Sequence, residues 1–79
     1  MSDALKNALY DLLAERGPAK SICPSDVARR AYPDTWRSHM AAVHALADQQ
    51  AQAGTVKLLQ KGKMIDPADR RGVYRIAAK

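Results

Sequence analysis

Apolar residues recur at helical spacing over three stretches of the chain and then give way to alternation. Leu5, Ala8, Leu9, Leu12 and Leu13 share one face of a helix that Ser2 or Asp3 can cap and that Gly17-Pro18 stops. Lys20 to Cys23 is too short for a helix and reads as a connector or a brief strand centred on Ile22. A second helix starts at once, with Cys23 at the capping position, Pro24 at the first helical position and Asp26 where a carboxylate meets the helix dipole. Val27, Ala28 and Ala31 form its inner stripe, Asp26 and Arg30 make an i, i+4 pair, and Pro33 ends it. Asp34 or Thr35 then caps the longest helix, which runs to about Ala53 with Gly54 as its stop.

On that long helix Trp36, Met40, Val43 and Ala47 fall on one line, the expected core face, with Leu46 and Gln50 at its edge. The opposite face collects Arg37, Ser38, Ala41, Ala42, Ala45, Asp48, Gln49 and Gln52, and its formal charge is zero. After Gly54 the period shortens to that of strands, over Thr55 to Leu59 and again over Val73 to Ile76. Between them lies Gln60 to Gly72, with Lys61-Gly62-Lys63 and Asp66-Pro67 inside it. Two registers are open. A tight hairpin turning at Gly62 would pair Val56 to Gln60 with Met64 and Ile65. A long loop would instead join strands 55–59 and 73–77, with Met64 and Ile65 tucked underneath. The second is preferred, because Val73 to Ile76 otherwise has no obvious partner.

The order helix, short strand, helix, long helix, strand, basic loop, strand predicts an α+β fold. Its form is a winged helix-turn-helix, three helices plus a small antiparallel sheet with a basic wing, as one domain over residues 1–79. The run Cys23-Pro24-Ser25-Asp26-Val27-Ala28-Arg29, then Trp36-Arg37 with Met40 and Val43, then Gln60-Lys61-Gly62-Lys63 and Gly72 with Arg75, resembles a small bacterial family of winged-helix domains of unknown function. The resemblance covers about residues 20 to 77. It implies the fold, and it brings no activity or catalytic residues with it.

Composition narrows the class. The 79 residues are 47% hydrophobic yet contain no Phe and one Trp, so the core must be helices packed through small side chains around a few large ones. A single cysteine, Cys23, excludes an internal disulfide. No run approaches the roughly 20 apolar residues that span a bilayer, and no signal-peptide pattern precedes the first helix. The expectation is a cytoplasmic, bacterial-type monomer with no membrane partner. Charge is uneven: residues 1–54 hold six bases and six acids, whereas residues 55–79 hold seven bases against Asp66 and Asp69. A local excess of this kind reads as an electrostatic footprint for a polyanion.

Catalysis finds no support. Cys23 has no second cysteine and no histidine beside it in sequence. Ser25 and Asp26 with His39 or His44 supply triad residue types, but nothing resembles a nucleophile elbow. His39 and His44 stand about 140° apart on a helix, against about 40° for ligands at i and i+4, so no metal or other cofactor is expected. His39 reads as a hydrogen-bonded histidine at the core boundary, Tyr74 as a core residue of the last strand, and Tyr10 lies off its helix's stripe. The partner expected is double-stranded DNA, held mainly at its phosphates by the wing residues Lys61, Lys63, Arg70 and Arg71. Arg29, Arg37, Ser38, Gln49 and Gln52 are the candidate contacts from the helices. The alternative is a protein-interaction adaptor whose neutral Ala41, Ala42 and Ala45 surface accepts a partner helix.

Overall fold

The computed structural model describes residues 3–17 and 19–79, so the capping role of Ser2 and the stop assigned to Pro18 lie outside the described residues. The fold is α+β. Helices α1 (Asp3–Arg16), α2 (Pro24–Ala31) and α3 (Met40–Gln52) accompany strands β1 (Ser21–Ile22), β2 (Val56–Gln60), β3 (Lys63–Ile65) and β4 (Arg75–Ala78). The strands form one antiparallel sheet in the order β1-β4-β2-β3. This order of elements is compatible with a winged helix.

The expected stripes meet in one core. Leu5, Leu9 and Leu13 of α1, Val27 of α2 and Val43 and Leu46 of α3 pack on Ile22, Val56, Leu58 and Ile76 of the sheet, all nearly inaccessible to water. Each such side chain contributes roughly 1.5–3 kcal/mol relative to exposure. Cys23 is the N-cap of α2 in extended conformation, and the Asp26 carboxylate accepts from the Cys23 backbone N–H at 3.1 Å. Asp26 is thus the returning arm of a capping box. Arg30 does not pair with it. Its guanidinium reaches across to Glu15 of α1, with one N–H···O contact of 2.8 Å, and so ties the first two helices together.

Two expectations need correction. The long helix does not begin at Asp34 or Thr35 as an α-helix, because Trp36–His39 form a 3-10 turn before α3. The tighter winding rotates Trp36 by roughly 60–80° from the position an α-helix would give it relative to Met40. Trp36 is therefore only partly buried, at the margin of the core. At the other end Gly54 does terminate α3. The Thr55 N–H returns to the Gln50 carbonyl at 3.0 Å and the Gly54 N–H to that of Ala51 at 3.1 Å, with Gly54 at φ 83, the crossed pair of a Schellman cap.

The second correction is in the sheet. The two registers are not alternatives, since β2 uses both edges. It pairs with β3 through Leu58↔Ile65, Leu59↔Met64 and Gln60↔Lys63, and with β4 from Val56↔Ala78 to Leu59↔Arg75. Met64 is consequently a strand residue, 66% exposed and not tucked under a loop, while Ile65 packs partly against the core. The segment 66–74 crosses from β3 back to β4, with a single 3-10 turn at Pro67–Asp69 whose cap is the Asp66 side chain, accepting from the Ala68 N–H at 2.9 Å.

Candidate nucleic-acid interface

The segment expected to form the wing is built on a two-residue turn, Lys61-Gly62, between the paired residues Gln60 and Lys63. Both turn residues are left-handed, φ 53 and 78, as a type I′ hairpin turn requires. Glycine adopts that conformation freely; lysine does so at a cost, and here it leaves the Lys61 side chain at the exposed tip. Lys63 follows, exposed, on β3. Facing this hairpin is the returning segment 70–75, and between the two runs an open groove of about 530 Å³. Leu59 and Val73 line it with apolar surface, while Lys61, Arg71 and Arg75 bring three cations to it.

Local bonds fix this arrangement. The Gln60 side-chain amide donates to the backbone carbonyls of Arg71 and Val73, stapling the returning segment to the hairpin. Arg75 donates from Nε to Ser21 Oγ at 2.7 Å and from Nη2 to the Ser21 carbonyl at 2.9 Å, which holds its guanidinium beside Ser21 at the border of the groove. Sequence reasoning gave Arg75 no contact role. Its alternation with Tyr74 and Ile76, both buried while Arg75 is exposed, was the signal available.

Arg70 has a different position from its neighbours. Its Nε and Nη2 donate to the two oxygens of Asp48 at 2.8 and 2.9 Å, and its guanidinium carbon stands 5.0 Å from the centroid of the Tyr74 ring. A bidentate carboxylate partner raises the Arg70 pKa and offsets the charge that would attract a phosphate. Of the four wing bases, Lys61, Lys63 and Arg71 are exposed and Arg70 turns inward to α3. Among the described residues the ion pairs are Arg70 with Asp48 and Arg30 with Glu15, so the cations of the groove carry no carboxylate partner.

Beside Asp48 on the same side of α3, His44 Nδ1 lies 2.7 Å from the Tyr74 hydroxyl. Burial raises the Tyr74 pKa to about 12, with the Arg70 charge opposing in part. The phenol therefore keeps its proton, and the direction of its hydrogen bond with His44 follows the imidazole tautomer. Burial, reinforced by the Arg70 charge, lowers the His44 pKa below its ordinary value, against a smaller opposite effect of Asp48. Met40, His44, Val73, Tyr74 and Cys23 border a shallow hollow of about 200 Å³, so the base of the wing adjoins α3 and the start of α2. The Cys23 thiol is partly buried there and accepts from the Ser25 hydroxyl at 3.4 Å.

The helical candidates separate into two groups. Arg29 and Arg37 both place their guanidinium carbons over the Trp36 ring, 4.3 and 4.7 Å from its centroid, and both are exposed. Next to them His39 is stacked on Tyr32, ring centroids 3.8 Å apart and 11° from parallel, in place of the boundary hydrogen bond expected of it. Ser38 spends its proton on the Thr35 carbonyl at 2.8 Å. Gln49 and Gln52 are exposed on α3, as are Ala41, Ala42 and Ala45. The polar residue the sequence placed at a core edge, Gln50, is in fact buried: its side-chain carbonyl accepts from the Tyr10 hydroxyl, and Thr55 Oγ1 lies 2.7 Å from that hydroxyl. Among the described residues no group of three His, Cys, Asp or Glu stands close enough to hold a metal, and no helix is long and apolar enough to cross a membrane.

Among curated proteins none matches the sequence. Residues 2–79 match the family described as a protein of unknown function, DUF3253, and on a match of that extent the chain belongs to it.

Proposed function

We propose that this chain is a winged helix-turn-helix domain that binds double-stranded DNA, mainly through its phosphates, and has no catalytic role. The observation that carries this reading is the wing groove, where Lys61, Arg71 and Arg75 converge without a carboxylate partner while Lys63 stands on the adjoining strand. Arg29 and Arg37, held over Trp36, supply a second set of exposed guanidiniums on the helical side. Base readout is minor in this mode. The exposed side of α3 offers Gln49 and Gln52 amid alanines, and Ser38 is engaged with its own turn.

Four phosphates neutralised by Lys61, Lys63, Arg71 and Arg75 give a log-log salt slope of about −3.6 for duplex DNA, so affinity falls on the order of 100-fold between about 50 and 200 mM salt. The test is a duplex titration across that range with the wild type and with Lys61→Glu/Arg71→Glu. The double reversal is expected to abolish binding at moderate salt with melting unchanged, and Gln49→Ala or Gln52→Ala to matter less. Absence of wild-type binding at about 20 mM salt, or a double reversal that binds as well as wild type, rejects the DNA reading in favour of the adaptor.

A further inference from the structure

Val73 is 84% exposed, the more exposed of the two large apolar side chains on the surface of the described residues. It is also held there. The Gln60 amide donates to the Val73 carbonyl at 3.1 Å and to that of Arg71, and the next residue, Tyr74, is buried with its hydroxyl against His44. A lone exposed apolar side chain is ordinary by itself, and what sets Val73 apart is its fixed place beside the cations of the groove. Its surroundings define what it would meet. Arg71 and Arg75 flank it in sequence and border the same groove, together with Lys61. Gly72 adds no side chain beside it. The matching partner is anionic outside and apolar within, which describes a nucleic-acid duplex: phosphates for the arginines, the base stack for the isopropyl group.

Resting on the DNA reading above, we propose that Val73 is an apolar wedge that Arg71 and Arg75 carry into the minor groove, where it partly opens a base step and bends the duplex. The minor groove is favoured over the major because the Val73 side chain itself can form no hydrogen bond to the base edges that the major groove displays. Arginines flanking an inserted apolar residue are also the composition that binds and widens a narrow, A·T-rich groove. Flexible pyrimidine–purine steps are therefore the preferred sites, since they kink most easily.

End-to-end energy transfer on a doubly labelled duplex with a central TA step, at saturating protein and low salt, tests this. Wild type is expected to shorten the end-to-end distance and to be displaced by a minor-groove-binding polyamide. Val73→Ser is expected to bind within about threefold with the same salt slope, because phosphate contacts set that slope, yet leave the duplex straight. Val73→Leu should restore the bend. A wild-type complex with straight DNA, a Val73→Ser complex bent as wild type, or indifference to the polyamide overturns the wedge while the DNA reading stands. No duplex binding by wild type overturns the DNA reading itself. Tighter, Val73-dependent binding to poly-glutamate than to duplex replaces both with an acidic polypeptide partner. Melting curves confirm that each variant folds, as expected for so exposed a position.

Discussion

Arg70 holds the wing loop to α3 through both oxygens of Asp48 and covers the Tyr74 ring, whereas its neighbour Arg71 borders the open groove. On the proposed DNA-binding function, two adjacent arginines therefore separate stability from binding. Arg70→Ala is expected to lower unfolding free energy by on the order of 1 kcal/mol, since the pair is largely shielded, and to leave the salt slope unchanged. Arg71→Ala is expected to leave the denaturation midpoint in place and to reduce the slope by about 0.9. Urea titration and salt-dependent binding read the two effects independently. His44 gives a pH dependence whose sign follows from its lowered pKa. The unfolded imidazole takes up a proton more readily than the folded one, so its contribution is complete above the unfolded value near 6.5 and is lost as pH falls below it. Melting temperature should decline from pH 7 toward pH 5, and His44→Gln should flatten that limb. Neither role was legible in the sequence. Arg70 and Asp48 are 22 residues apart, and nothing in spacing distinguishes an arginine that finds a carboxylate from one that does not. Gln50 poses the same difficulty, because its burial depends on Tyr10, a residue off the stripe of a different helix.

The elements themselves were much more legible. Periodicity with Gly and Pro punctuation located all three helices, and Cys23-Pro24-Ser25-Asp26 marked the start of α2 correctly, since a capping box is written within four residues. Asp26→Ala is expected to cost about 1 kcal/mol by releasing the Cys23 N–H, whereas Cys23→Ser should be nearly neutral; thermal melts of both variants check the pair. What failed were features that local pattern does not encode. The 3-10 turn at Trp36–His39 shares its residue preferences with the α-helix it leads into, so the phase of Trp36 was misplaced. With Trp36 only partly buried, Trp36→Ala should destabilise by less than the roughly 3–5 kcal/mol of a fully buried aromatic. In the sheet, alternation identifies a strand but not how many edges it uses. β2 using both reconciles the tight hairpin with the pairing to 75–78.

At the scale of the whole molecule, the helices α1 and α2 are joined by Arg30 and Glu15, α3 is joined to the wing by Asp48 and Arg70, and the sheet is closed by β4, which lies between β1 and β2. Removing residues 75–79 would leave β1 without a partner, open one of the two edges of β2 and take Ile76 away from the core. Such a chain is expected to lose its dispersed amide spectrum while retaining much of its far-ultraviolet helical signal. The central place of β4 also bears on how the protein is made. Ser21 pairs with Ala77, so β1 emerges from the ribosome long before its partner exists. At about 5–20 residues per second the wait is roughly 3–10 seconds, far longer than helices need to form. During that interval a nascent helical cluster carries Ile22 uncovered, and at its end β2 as well, a window in which neighbouring chains on one messenger can pair strands with each other before residue 77 arrives.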